Sequence, residues 1–431
     1  MAIPPWTIEL LRRGLSDVAR KASEPETLEK IKTQATEILH DLPETAARGI
    51  DAVMRGAEAG KKSVQRWSRK HTALAIPVLN ASGVLMNDEG SGVPLSEQAI
   101  EVGRELMVGD TIRGPAMEER LSKRLQRLLP VDDDYAIAIT SSFPSALTAF
   151  SLLVQQRQLV VHRSHAVRLP GGLPLPDAFG MLVPVIQEVG SVGGVSVSDF
   201  DALEKFCLIM ADGGECEVEL LDFAGRDAMQ AVVLPVATVA ASPHDRIPSA
   251  EAILTAGADF VIMPGDGVCG GPACGILMGR APEIRQIKES SAWPGLAASD
   301  AVQAMLAVSL EAAASNNDQI PVRALLSTSQ ENLRGRAERL ATRLSGSDSI
   351  ASCQVTADDA RLTRDGRWRF PSRQVRLRHK SMSAVDWAND LREELPAVFA
   401  SVDGDDLRVD LRWIAAADDG KLAETLGGKT Q

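Results

Sequence analysis

The sequence predicts an α/β protein: a large domain on a mainly parallel sheet, a helical domain before it and a small α+β domain after it. Three observations carry this. From Pro77 onwards, short and nearly unbroken apolar runs alternate with helical segments, as strands buried on both faces of a covered sheet do. The first 70 residues show helical periodicity alone. Near the C-terminus apolar residues alternate singly, the mark of strands with one wet face. The expected boundaries are 1–76, 77–320 and 321–415, with a polar tail over 416–431.

The head reads as three helices. Ile8, Leu11, Leu15 and Val18 form one apolar stripe. Ser23-Glu-Pro-Glu26 opens a second helix as a capping box with proline in its first turn, and Leu28, Ile31, Ala35, Ile38 and Leu39 are its stripe. A third follows Pro43, with Ile50, Val53 and Met54 apolar. In the body, strands are expected at Tyr135–Thr140, Leu159–His162, Leu182–Gln187, Cys207–Met210, Ala231–Val236, Phe260–Met263 and Ile276–Met278. Helices are expected from Pro144 to about Gln156 and over Ala250–Ala256, Ser299–Ala314 and Pro321–Leu344. In the last domain Gln374–His379 and Leu407–Leu411 alternate as antiparallel strands around a helix at Ala384–Glu394.

Composition narrows the function classes. With 431 residues, 45% hydrophobic and 24% charged, the chain has an ordinary globular balance and ample length for a large core. The longest apolar stretch, Ala231–Ala241, is interrupted by Pro235 and falls well short of the ~20 residues of a spanning helix. The N-terminus Met-Ala-Ile-Pro-Pro-Trp has no basic region followed by an apolar block, so no secretory signal is expected. Five cysteines without a C-x-x-C pair argue against a disulfide framework or a structural zinc site, and a reducing cytoplasm is the expected compartment. No metal site is expected, because His162 and His165 have no carboxylate nearby in sequence. The formal charge of −12 is uneven: residues 1–76 hold 13 Lys and Arg against 10 Asp and Glu, so the acid excess lies in the body. Arg55–Lys70 packs six basic residues and Trp67 against one acid, a pattern that suits either a solvated helix face or an RNA-phosphate contact.

Several segments recur in a set order: Pro77-Val-Leu-Asn-Ala-Ser-Gly-Val84, Pro94-Leu-Ser96, Arg113-Gly114 before a helix near Met117, Arg163, Gly171, Pro176-Asp177 and Glu188-Val-Gly190. Ala256-Gly-Ala-Asp-Phe-Val then leads into Gly265-Asp266 and Gly270-Gly-Pro-Ala-Cys-Gly275, followed by Pro321-Val-Arg-Ala-Leu-Leu and Val409-Asp-Leu-Arg412. Across residues 77–414 this order resembles the bacterial selenocysteine synthase family, the L-seryl-tRNA(Sec) selenium transferases. The resemblance implies a fold-type-I architecture for pyridoxal phosphate (PLP), a homodimer or larger assembly with its cleft at the subunit interface, and a head that helps hold tRNA.

The departures from that pattern fall on the chemistry. The family places its cofactor lysine directly after Gly-Asp, whereas here the run is Pro264-Gly-Asp-Gly-Val-Cys-Gly-Gly-Pro272, with Gly267 at the lysine position. That amine holds the cofactor aldehyde and shuttles protons. The family's acid for the pyridine nitrogen belongs on the strand that here reads Ala231–Val239, with Leu234 or Pro235 in its place. Family positives correspond here to Glu89-Gly-Ser-Gly92, Pro174, Pro294, Ala297 and Asp300, leaving Arg113 and Arg163.

The remaining candidate cofactor contacts are Ser141, Ser142, His165, Arg113, Arg163 and Asp266. Thr140-Ser-Ser142, between a strand and a helix start, suits a phosphate cup or ordinary helix capping. His165 is either a ring-stacking or acid–base residue or a partly exposed loop histidine. Gly265–Gly271 reads as a tight turn needing positive φ or as an anion-binding loop, and Cys269 and Cys274 as buried small apolar residues. Three functions are consistent with these residues. The first is a selenocysteine-synthase-like protein that has lost its PLP chemistry and acts as a non-catalytic oligomeric binding or regulatory module. The second is an active PLP-dependent transferase that draws its lysine from elsewhere in the chain, and the third an enzyme holding another phosphorylated ligand in the old pocket.

Overall fold

The computed structural model describes residues 75–431, apart from 88–91, 110–114, 130–133, 170–171, 184, 214–216, 241, 243, 245, 316–319, 365–366 and 428–431. The expected head helices and the basic stretch Arg55–Lys70 lie outside the described residues, as does Arg113. Residues 1–76 and 77–431 form two separate units, and the elements below all belong to the second.

β1 (Val78–Ala81) opens the body. The large sheet comes next, with β2 (Tyr135–Thr140), β3 (Gln158–His162), β4 (Ile186–Val189), β5 (Lys205–Ala211), β6 (Asp227–Val233), β7 (Phe260–Pro264) and β8 (Gly275–Arg280). Their spatial order is β2-β8-β7-β6-β5-β3-β4, and only β8 runs antiparallel to its neighbours. The mainly parallel sheet expected from sequence is therefore present, with its strands shifted by a few residues. Apolar runs are continuous because both faces are covered. In β5, Phe206, Leu208 and Met210 pack into one cluster with Leu306 and Leu310 of helix Asp300–Ala314. Cys207, Ile209 and Ala211 face the other, against Phe150 of helix Phe143–Leu153 and Ile284 of helix Ala281–Glu289.

The second sheet is built from β9 (Ile350–Thr356), β12 (Gln374–His379), β13 (Ala397–Asp403) and β14 (Asp406–Asp410), and β10 (Asp359–Arg361) pairs with β11 (Arg369–Pro371) as a separate ribbon. Three expectations are corrected here. The small sheet is mixed, because β1 joins its edge parallel to β13, so the first strand among the described residues belongs with the last domain. A pairing of Val78 with Ala397 leaves no local signal. The pattern over Pro321–Leu344 is two helices, Pro321–Ser327 and Gln330–Ser345, because Ser329 caps the second. The polar tail is not a tail: Asp419–Leu426 is a helix whose Leu422, Ala423 and Leu426 are buried in the small-domain core. Arg336 reaches that helix, donating to both carboxylate oxygens of Asp419 at 2.7–3.2 Å.

The seam between the domains is polar. Asn80 donates to the carbonyls of Val84 and Leu85, and Gly83, at φ +81°, brings the chain against the Asp410 side chain. Asp410 accepts from Ser372 Oγ (2.7 Å), Gln374 Nε2 (2.6 Å) and the Arg412 amide (2.8 Å). The buried Arg412 guanidinium donates to the carbonyls of Thr328 (2.7 Å), Leu325 and Leu326 (3.4 and 3.5 Å) and Pro371, closing the end of helix Pro321–Ser327. No helix among the described residues is long and apolar enough to cross a membrane.

Candidate functional site

In an open α/β sheet the strand carboxyl ends and the helix starts that follow them form a crevice. Here that edge gathers Thr140–Ser142 after β2, Arg163–His165 after β3, Asp212 after β5, Leu234 after β6 and Pro264–Gly267 after β7.

The hydroxyls after β2 are engaged. Ser142 caps helix Phe143–Leu153, accepting from the Ser145 amide at 3.2 Å, and Ser145 Oγ lies 2.8 Å from Ser142 Oγ and 3.0 Å from Ser141 Oγ. The Ser141 amide donates to Leu296 O at 2.8 Å. Of the two expected roles, capping is the one the geometry fills. Arg163 is turned to the end of β4, donating to Gly190 O at 2.7 Å with Glu188 at 3.8 Å.

His165 is not an exposed loop histidine. It is buried, its Nδ1 lies 3.0 Å from Ala211 O, and burial lowers its pKa, which keeps the ring neutral at pH 7. His162 is also buried, with Nδ1 2.7 Å from Ser164 Oγ and Nε2 3.3 Å from Asp199. Among the described residues no group of three or more His, Cys, Asp or Glu is placed to hold a metal ion. Cys269 and Cys274 are buried, and desolvation pushes the Cys269 thiol up to about 12 and raises Cys274 further, so neither is a thiolate.

Two residues at this edge were missed from sequence. Asp212, buried, follows the last residue of β5, and its carboxylate is held by Arg367 at 2.8–2.9 Å. Burial outweighs that partner and lifts the Asp212 pKa to about 6. Arg367 comes from the turn between β10 and β11, 155 residues away, and also reaches Glu217 at 3.2 Å. The acid directly after the apolar run Phe206–Ala211 is the one sequence signal that could have drawn attention to Asp212.

Residues 241–415 match the family model of L-seryl-tRNA selenium transferase. A transferase of that name from Aquifex aeolicus is 22% identical over 81% of this chain and 83% of its own length. The Moorella thermoacetica protein of the same name is 25% identical over 92% of this chain and 87% of its own. Over residues 241–415 the chain is thus similar to the L-seryl-tRNA selenium transferase family. In fold it resembles D-glucosaminate-6-phosphate ammonia-lyase, with a TM-score of 0.56 and 16% identity over 82% of this chain and 95% of that one. The architecture is the fold-type-I PLP-transferase one.

A selenium transferase needs an amine and an acid at this edge to use PLP. In the loop after β7, Asp266 precedes Gly267, which is buried at φ +65°, where a Cβ would stand 2.6 Å from Met86 Sδ. Asp266 itself has its pKa raised by burial. At the end of β6, Leu234 is fully buried and Pro235 follows. The described lysines lie elsewhere. Lys205 opens β5 at the opposite edge; Lys123, Lys288 and Lys421 are on helices; Lys380 follows β12. The residues present at these two places do not fit a lysine-tethered PLP.

Proposed function

We propose that this selenium-transferase-like protein does not perform PLP chemistry and serves as a cytoplasmic, homo-oligomeric binding or regulatory module. Gly267 carries the reading. Without an amine after β7 the cofactor aldehyde has no covalent anchor, and with Leu234 and Pro235 after β6 the pyridine nitrogen has no acid. The oligomer rests on the fold class, whose cleft is shared between subunits. The relatives' name supplies the candidate partner, a tRNA, and the basic stretch Arg55–Lys70 supplies a place for it.

The test is direct. Purified protein with PLP, seryl-tRNA(Sec) and a selenium donor is expected to give no selenocysteinyl-tRNA above a no-enzyme control. Gly267→Lys is expected to allow covalent attachment without turnover, and activity to need an acid at 234 or 235 as well. Robust turnover by the native chain overturns the reading.

A further inference from the structure

The histidine that ends β3 stands between a hydroxyl and a carboxylate. His162 Nδ1 lies 2.7 Å from Ser164 Oγ, and its Nε2 lies 3.3 Å from Asp199 Oδ2. The Ser164 amide also approaches Nδ1, at 3.2 Å. An amide can only donate, which leaves Nδ1 unprotonated and assigns the ring hydrogen to Nε2. The Ser164 hydroxyl therefore donates to Nδ1. Nε2 is buried without a well-aligned hydrogen bond, and the Asp199 carboxylate beside it is the acceptor it has at hand. Such contacts tighten as the ring takes up a proton. Hydroxyl, imidazole and carboxylate in that order form the series that activates a serine, here with the two ring nitrogens exchanged.

Each member is held in place. The His162 ring is fully buried, with the Phe200 ring 6.2 Å away. Its Nε2 occupies the space that a side chain at Gly190 would fill: a Cβ there would stand 1.7 Å from it, and Gly190 has φ +70°. Arg163 fixes that glycine by donating to its carbonyl at 2.7 Å. The Asp199 carboxylate accepts from the Ser196 amide at 2.9 Å, as the acid of the capping box that opens the one-turn helix Val197–Phe200. Ser164 is half-buried in the one-turn helix Arg163–His165, where a small reagent can approach it. A serine two residues after a histidine is not enough for this arrangement. His379 meets Ser381 in the same way, Nδ1 to Oγ at 3.3 Å, and Ser381 is exposed. The His379 ring packs beside Trp387, and it pairs with no described carboxylate. That serine has a base without an acid.

We propose that Ser164 is a nucleophile that accepts a small acyl group from a thioester, with His162 as its general base and Asp199 as a positioning residue. Ser164 Oγ forms a bond to the acyl carbon as the carbon–sulfur bond breaks. The hydroxyl proton passes to His162 Nδ1 and departs with the thiolate as the free thiol. In between, the ring carries a hydrogen on both nitrogens, and the Asp199 carboxylate stabilises that charge. A thioester suits the site because its thiolate leaves without a strong acid to protonate it. The product is an acyl-serine, a covalent mark on the protein. The step needs no PLP, so it goes beyond the function proposed above and neither outcome decides the other.

The experiment treats the full chain with S-phenyl thioacetate, follows thiol release and maps the acetyl groups by mass spectrometry over time. Ser164 is expected to be acetylated about a hundredfold faster than the more exposed Ser381, the scale of general-base catalysis. Ser164→Ala is expected to remove the fast phase. Asp199→Asn keeps an acceptor for the Ser196 amide and is expected to slow acetylation of Ser164 at least about tenfold, with an unchanged melting temperature. His162→Gln is expected to abolish the fast phase. If that variant fails to fold, Asp199→Asn and the histidine nitrogen-15 spectrum of the native protein carry the test. The spectrum is expected to show His162 with its hydrogen on Nε2 and His165 with its hydrogen on Nδ1, which faces Ala211 O at 3.0 Å. Acetylation of Ser164 no faster than that of Ser381 overturns the proposal. So does a fast phase that survives Ser164→Ala, a rate unchanged in Asp199→Asn, or a His162 hydrogen found on Nδ1.

Discussion

At the seam between the sheets, Asn80, Gly83, Asp410 and Arg412 stand at motif positions that the family resemblance rests on, and each is tied to its neighbours by hydrogen bonds or close packing. Beyond β7, Gly265-Asp266 and Gly270-Gly-Pro272 are equally in place, yet the residue between them is Gly267, packed against Met86. The difference teaches what the motifs are for. Those that set a backbone path or satisfy buried carbonyls are required by folding itself, whatever the protein does. A cofactor amine and its acid partner serve only the reaction, and at the positions that correspond to them by resemblance the chain has Gly267 and Leu234, both buried.

If that division is right, the seam is where substitution costs most. Arg412→Ala leaves the carbonyls of Leu325, Leu326, Thr328 and Pro371 without their donor, and we expect a loss of about 3–5 kcal/mol, read as a lower urea midpoint with unchanged slope. A loss below about 1 kcal/mol would make the seam decorative and erase the contrast.

The carboxyl edge responds to pH in a defined direction. Asp212 has a folded-state pKa of about 6, above its unfolded value near 4, so the folded state holds its proton longer. Its contribution to stability is therefore present below about pH 4 and lost as pH rises through about 6, by up to about 2–3 kcal/mol. Asp212→Asn is expected to flatten that part of the stability–pH curve, measured by urea unfolding from pH 4 to 7.

Gly267→Ala sharpens the comparison further. Positive φ costs a side chain about 1–2 kcal/mol, and the close Met86 sulfur adds to it. Met86→Ala in the same chain is expected to recover the steric part but not the conformational part, a split that a double-mutant cycle resolves. The smallest effect is at Ser142, where alanine removes a cap worth about 1 kcal/mol, measurable as a shift in melting temperature.

Much of the large domain was legible because its strands are buried on both faces, so Cys207–Met210 and Phe260–Met263 stand out as apolar runs within β5 and β7. Helix Asp300–Ala314 was legible from its apolar repeat after Ser299. What escaped depends on long-range pairing. β1 lies beside β13 across more than 300 residues, and Asp212 meets Arg367 across 155. The last helix escaped for a different reason: Leu422, Ala423 and Leu426 have helical spacing, but the surrounding Asp, Gly, Lys and Glu drew it as a solvated tail. At the site, Gly267 and Ser142 were readable because each acts through its own backbone neighbourhood. The burial of His165 was not, since it depends on Ala211 from another strand.

Whether any lysine of the native chain holds the cofactor is the deciding question. Protein incubated with PLP, reduced with borohydride, digested and mapped by mass spectrometry answers it, with Gly267→Lys as the positive control. We predict a native spectrum equal to that of free PLP and no stoichiometric modification at any single lysine, against one modified position in the control. A native protein with a visible absorption band of its own and one lysine fully modified would contradict the loss of PLP chemistry.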